Sequence, residues 1–350
     1  ILNIQYICNT IMYSFISHQD ELGKSINTAC QNLFTQIQAL NIEALPFEPF
    51  FRQYFIKCHL TRPYFSLKTS AKLLYEGITA TGKHYKDVIV MDYGAGLGTL
   101  YIIAKMIGVK KIIYNDLLSE FAMPAIEVDK VLGHIMDEYI IGDTEDTCKQ
   151  LAAKNIICDV IVGRNVVEHI YDLKDYFSII HRYQPRAILY NSTTANWNNP
   201  AAHIQHIFLH KKYRPTVVAQ KINIIKTKIP TITTEDANQL AMCLVQYGGI
   251  EFENAIEEFA STKKFPTPKN DYTNVCDENG TWSEHLIKFS DYKKMAPQYD
   301  VTFKPGFWDE DYKSFAKRML GKTLNIVTNI LGNAGVVSTS FIYVIAKPKQ

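Results

Sequence analysis

The chain has 350 residues, 47% of them hydrophobic and 21% charged, a composition that supplies a large buried core and argues against a disordered protein. Its 37 Lys and Arg against 35 Asp and Glu leave a formal charge of +2, so no global field draws it toward nucleic acid or anionic lipid. The cysteines, Cys8, Cys30, Cys58, Cys148, Cys158, Cys243 and Cys276, include no Cys-x-x-Cys pair, which argues against a zinc ribbon or a disulfide framework and for a reducing compartment.

Residues 1–86 are rich in Phe, Tyr, Leu and Ile at helical spacing. Leu67, Ala71, Leu74 and Ile78, behind Ser66 as a cap, describe one apolar helix face. Val88-Ile89-Val90-Met91 is then a continuous apolar run, the signature of a strand buried on both faces of a parallel sheet. Lys111 to Tyr114, Cys158 to Val162 and Ala187 to Tyr190 follow at α/β intervals. Helices are predicted between them over Thr99–Ile107, closed by Gly108, and from Asp172 to Tyr183 behind an acidic cap. The alternation predicts an α/β, doubly wound Rossmann-like sheet.

From about Asn196 to Asp300 this rhythm lapses. Lys211, Lys212, Arg214, Lys221, Lys226 and Lys228 form a basic run, a helix is predicted from Thr234 to about Tyr247, and a Pro-, Asn- and Asp-rich stretch spans Pro266 to Gly280. The region reads as an insertion or lid. Strand character resumes at Tyr299–Phe303 and over Val336–Ala346, on either side of a helical stretch around Tyr312 to Leu331. The expected organisation is a helical element over 1–86, a core over 87–195, a substrate lid over 196–298, and C-terminal strands over 299–350 that complete the core sheet.

After the first strand comes Asp92-Tyr93-Gly94-Ala95-Gly96-Leu97-Gly98-Thr99. Glycines at a strand-to-helix junction allow a tight turn and bring backbone N–H groups to a ligand at the helix N-terminus, where the dipole favours an anionic group. The dinucleotide fingerprint Gly-x-Gly-x-x-Gly would need a glycine where Thr99 stands.

With Asp92 two residues before the first glycine, the pattern resembles motif I of class I S-adenosylmethionine-dependent methyltransferases. The resemblance implies a seven-stranded, mostly parallel sheet with an antiparallel last strand and S-adenosylmethionine as cofactor. Asp92 would help hold the methionyl amino group, and Gly94, Ala95 and Gly96 would pass its carboxylate. Asp116, closing Tyr114-Asn115-Asp116, suits the ribose diol, because an ionised carboxylate is acceptor-only and a vicinal diol has two donors; Leu117 stands beside it. Asp143, with Thr144, follows Tyr139-Ile140-Ile141 and corresponds to the acceptor for the adenine amino group. The run from Asp159 to Ile170 looks like the family's fourth strand and following loop, placing Arg164 and Asn165 at the cofactor and Arg164, Glu168 and His169 at the chemistry. The similarity spans about Asp87 to Ser192.

His169 suits a general base near neutral pH, while the same Glu-His pair could shape the pocket or cap the next helix. His203, His206 and His210 share a face if helical, and with no fixed second shell in view they read as a pocket wall or surface, with no metal expected. The basic run reads as a solvated face, or as an attractor for an anionic head group. Asn274 to His285 gathers Cys276, Trp282 and His285 in a turn-rich stretch, either bordering a substrate or anchored by a buried indole.

The expected activity is in-line transfer of methyl from S-adenosylmethionine to a small-molecule acceptor. Asn165-Val166-Val167-Glu168 stands where enzymes that methylate exocyclic base or glutamine amines carry Asn/Asp-Pro-Pro-aromatic, and the near-neutral charge offers no nucleic-acid track. The rivals are a catalytically inactive S-adenosylmethionine-binding interaction module and an NAD(P)-dependent oxidoreductase. No apolar run reaches the ~18 residues of a membrane span, and the opening Ile1-Leu2-Asn3 lacks a secretory pattern, so a cytoplasmic location is expected.

Overall fold

A computed structural model describes residues 14–269, 275–277, 280–312 and 314–349; Cys8, Asn274, Glu278 and Asn279 lie outside them. The chain divides into two compact units, Ile1–Ile141 and Gly142–Gln350.

In the first unit α1 (Glu21–Ala39), α2 (Pro49–Phe55) and α3 (Pro63–Ala80) precede β1 (Ile89–Asp92), α4 (Leu100–Ile107), β2 (Lys111–Asp116), α5 (Ser119–Leu132) and β3 (Glu138–Ile141). Leu67, Ala71, Leu74 and Ile78 are all buried along α3. Ser66 is not its cap. The helix starts at Pro63, whose fixed φ and missing N–H suit a first turn, and Ser66 Oγ is buried against His59 Nδ1 at 3.1 Å. Gly108 ends α4 in the left-handed conformation, as its lack of a Cβ allows. β1 pairs parallel with β2, and β2 with β3.

The second unit contains α6 (Thr144–Ala153), β4 (Val160–Arg164), α7 (Leu173–Tyr183), β5 (Ile188–Thr193), α8 (Pro200–Lys228), α9 (Thr234–Cys243), α10 (Gly249–Thr262), α11 (Phe289–Met295), β6 (Tyr299–Pro305), α12 (Phe315–Leu331) and β7 (Ile342–Pro348). β4 and β5 are parallel, and β7 lies antiparallel between β5 and β6. The seven-stranded sheet runs in the order β3-β2-β1-β4-β5-β7-β6. This is the α/β, mostly parallel sheet with an antiparallel last strand that the sequence led us to expect.

Two boundaries differ from expectation. The strand predicted over Val336–Ala346 begins later, at Ile342, because Gly332–Val337 closes α12 as a 3-10 turn. Gly335 is held tightly there, since a Cβ on it would meet Thr328 O at 2.7 Å. The helix expected to reach Tyr247 stops at Cys243, and the basic run belongs to the 29-residue α8. Ile225, Leu240, Leu244, Phe252, Ile256 and Phe259 form a buried cluster among α8, α9 and α10.

Lys221 is also corrected. It is fully buried, and Nζ donates to Leu244 O at 2.8 Å and Tyr247 O at 2.5 Å while lying 4.6 Å from the Phe252 ring centroid. Its alkyl stem crosses the apolar layer and its ammonium satisfies carbonyls at the end of α9. Lys211, Lys212 and Arg214 are exposed, as a solvated face requires.

Candidate functional site

In the first unit, the turn after β1 carries Gly94 at φ +64° and Gly96 at φ +53°, a region where a side chain is disfavoured. Ala95 N donates to Asn115 O at 2.8 Å and Gly98 N to Ala95 O at 2.9 Å. Gly96 N donates to Asp116 Oδ2 at 2.8 Å, and Leu118 N to Asp116 Oδ1 at 3.0 Å. Tyr114 Oη donates to Gly96 O at 3.0 Å. The glycine turn and the carboxyl end of β2 are thereby tied together, and Asp116 sits against the turn. Burial pushes its carboxyl above the usual carboxylate range, opposed by the N–H groups of Leu118 and Gly96.

Each Asp116 oxygen accepts one of those bonds, and an ionised carboxylate has about four acceptor positions. The Leu117 N–H also bears on this carboxyl, and acceptor capacity remains for a diol hydroxyl. Leu117 is 42% exposed next to it. Asp92 is different: it is buried and accepts from Tyr101 N at 3.1 Å, so it fastens the N-terminus of α4.

Sequence reasoning missed an aromatic wall over this turn. Phe121 of α5 meets Phe51 and Tyr54 of α2 edge-on, with centroids 5.2 and 5.5 Å apart. A Cβ on Gly96 would lie 3.8 Å from both Tyr54 Oη and Phe121 Cδ1. The i, i+4 spacing of Phe50 and Tyr54 signals an aromatic helix face, but nothing local names its partner.

In the second unit, Asp143 caps α6, accepting from Asp146 N at 2.9 Å, with Thr144 as the first helical residue. Arg164 ends β4 and is half-buried. Asn165 follows at φ +58°, exposed, with its N–H on Ser192 O at 2.8 Å.

Glu168 and His169 are brought beside the segment 282–285. His285 N donates to Glu168 O and Trp282 N to His169 O, both at 2.9 Å. His169 Nδ1 lies 2.9 Å from Trp282 O. Because a carbonyl only accepts, Nδ1 carries a proton, and in the neutral ring the lone pair is on Nε2. The Glu168 side chain is wholly buried, and neither carboxylate oxygen has a hydrogen-bond partner among the described residues. Burial pushes its carboxyl up to about 7, partly countered by His169.

The Trp282 ring is buried, stacks on Tyr171 at 4.8 Å, and donates Nε1–H to Tyr171 O at 3.2 Å, so the indole anchors this segment. Cys276 is buried against Gly248, and burial pushes its thiol up to about 12, leaving it protonated and inert. His203, His206 and His210 all lie on α8. His206 Nε2 is 3.2 Å from Glu284, a carboxylate partner 78 positions away that no spacing rule reveals. Among the described residues no group of three or more His, Cys, Asp or Glu is placed to hold a metal ion.

A cavity of about 240 Å³ opens between α8 and this segment, lined by Tyr213, Thr216, Val217, Gln220, Asp277, Ser283 and Glu284. Its charged lining is acidic. None of the basic residues of α8 lines it.

No family model matches the chain, and no curated protein matches it. Among solved structures, an S-adenosylmethionine-dependent methyltransferase from Clostridium acetobutylicum is 13% identical, over 87% of this chain and 100% of that one, with a TM-score of 0.44. The magnesium protoporphyrin IX methyltransferase of Synechocystis, solved with bound S-adenosylhomocysteine, is 17% identical over 45% of this chain and 65% of that one, with a TM-score of 0.28. A candidate RNA methyltransferase from Pyrococcus horikoshii is 16% identical over 42% and 69%, respectively, also with a TM-score of 0.28.

Proposed function

We propose that the chain is an S-adenosylmethionine-dependent methyltransferase that acts on a small-molecule acceptor. The observation that carries this reading is the bond from Gly96 N to Asp116 Oδ2 at 2.8 Å, which sets a diol-accepting carboxylate against a glycine turn at a helix N-terminus. Thr99 in place of the third dinucleotide glycine, and an antiparallel β7 inserted between β5 and β6, both weigh against an NAD(P) oxidoreductase.

In this reading the backbone of Gly94, Ala95 and Gly96 faces the cofactor's amino-acid end, and Asp92, which also fastens α4, helps hold the methionyl amino group. Asp116 holds the ribose, with Leu117 flanking the adenine. The family resemblance also assigns Asp143 and Thr144, at the start of α6, and Arg164 and Asn165, at the end of β4, to cofactor binding. When bound, S-adenosylmethionine supplies a methyl group on a sulfonium, whose departure leaves a neutral thioether. The chain then has mainly to align the acceptor and exclude water.

His169 Nε2 is the atom proposed to take the acceptor's proton. Glu168, fully enclosed, supports the loop from behind. The acidic lining of the nearby cavity favours a neutral or cationic small molecule over a polyanion such as nucleic acid. Titration calorimetry with S-adenosylhomocysteine and, separately, NADH tests the cofactor assignment: micromolar binding of the first and none of the second is expected. The reverse would return the chain to the oxidoreductases. Tight S-adenosylhomocysteine binding with no label transfer from methyl-labelled cofactor into a pooled metabolite extract would favour the inactive binding module.

A further inference from the structure

The outer face of α12 is apolar where a surface helix is ordinarily polar. The helix is fastened by a narrow inner face. A Cβ on Gly321 would come within 2.1 Å of Asp309 O. Asn325 accepts from Trp308 N at 2.7 Å and donates to Trp308 O at 2.9 Å, and Thr328 is buried. At about 100° per residue these three positions lie within about 60° of one another.

On the opposite side Phe315, Met319, Ile326 and Ile330 share an arc of about 60°, which Leu320 and Val327 widen. Phe315 is 68% exposed, Ile326 60% and Ile330 79%. A contiguous apolar surface of this kind marks an interaction site. The charges give its chemistry. Residues 315–331 contain Lys317, Arg318 and Lys322 and no Asp or Glu. By helical position Lys317 borders the arc on one side, and Arg318 and Lys322 border it on the other.

We propose that α12 docks this protein onto the surface of an anionic lipid bilayer. An apolar arc rimmed on both sides by cations lies in the plane of an interface, with the rings and branched chains among the acyl groups and the Lys and Arg stems reaching up to phosphates. No helix of the described residues is long and apolar enough to cross a membrane, so the helix rests on the bilayer. The near-zero net charge of the whole chain does not oppose this, because the attraction is local to one helix and acts within about a Debye length. The docking is independent of the methyltransferase reading.

The test is co-sedimentation of the full chain with vesicles of phosphatidylcholine alone and of phosphatidylcholine with about one third phosphatidylserine, at low and high salt. The protein is expected to bind the anionic vesicles at low salt at least about tenfold more strongly than the neutral ones, and to lose most of that binding at high salt. The triple variant Lys317→Glu, Arg318→Glu, Lys322→Glu and the double variant Ile326→Ser, Ile330→Ser should each reduce binding about tenfold or more. Their melting temperatures should be unchanged, since all five side chains are exposed. Equal sedimentation of wild type and variants, or no binding to anionic vesicles, overturns the proposal. So does a wild-type dimer, seen by analytical ultracentrifugation, that the double variant breaks, because the apolar face would then belong to a second copy of the chain.

Discussion

His169 donates its Nδ1–H to Trp282 O across 2.9 Å, while Trp282 N donates back to His169 O at the same distance. The pair fixes the ring's orientation and its tautomer together, leaving Nε2 as the only ring atom that can accept a proton.

Replacing His169 with Ala is therefore expected to lower turnover by about 10²–10⁴-fold, the usual worth of a positioned base, while S-adenosylhomocysteine affinity stays within about twofold. Steady-state kinetics and calorimetry separate these quantities. Unchanged turnover would leave His169 a purely structural clamp.

Glu168 makes stability depend on pH. Burial pushes its carboxyl from 4.5 up to about 7, so the folded state prefers the protonated form. That contribution is fully present below about pH 4.5 and is lost as pH rises through about 7. Glu168→Gln should leave stability near pH 4 almost unaltered and raise it by about 1–3 kcal/mol at pH 8. Asp129, also pushed up to about 7 by burial, contributes with the same sign, so the variant removes part of the slope. Parallel melting curves for the two proteins from about pH 5 to 8 would sink this account.

Lys221→Met keeps the length of the side chain but deserts two carbonyls, one buried and one part-buried. A loss of about 2–4 kcal/mol is expected, measured by denaturant melting. The exposed Lys226 of the same helix gives the control, since its change to Met should cost less than about 0.5 kcal/mol. Equal effects would mean that Lys221 contributes no more than a surface lysine.

The parts of this fold that could be read from sequence are those with local causes. β1, β2 and β4 are apolar runs, Gly108 stops α4 through its φ, and Asp172 caps α7. The glycine turn and Asp116 belong to this class as well. What escaped reading depends on partners far along the chain. Lys221 is buried because of the carbonyls of Leu244 and Tyr247, and His206 meets Glu284 across 78 positions of sequence. Tyr54 and Phe121 are neighbours only in space. α12 adds a subtler case. Its periodicity predicts a helix correctly, but a hydrophobic pattern is the same whichever side packs. Here Gly321 and Asn325 face in and Ile330 faces out.

The most direct test of the central claim is calorimetric titration of S-adenosylhomocysteine into the wild type and into Asp116→Ala. Loss of charge-assisted bonds to the ribose should weaken binding by about 1–3 kcal/mol, or about 5- to 150-fold, with the variant still melting cooperatively. Undiminished affinity in a folded variant would contradict the claim, as would a wild type that does not bind S-adenosylhomocysteine.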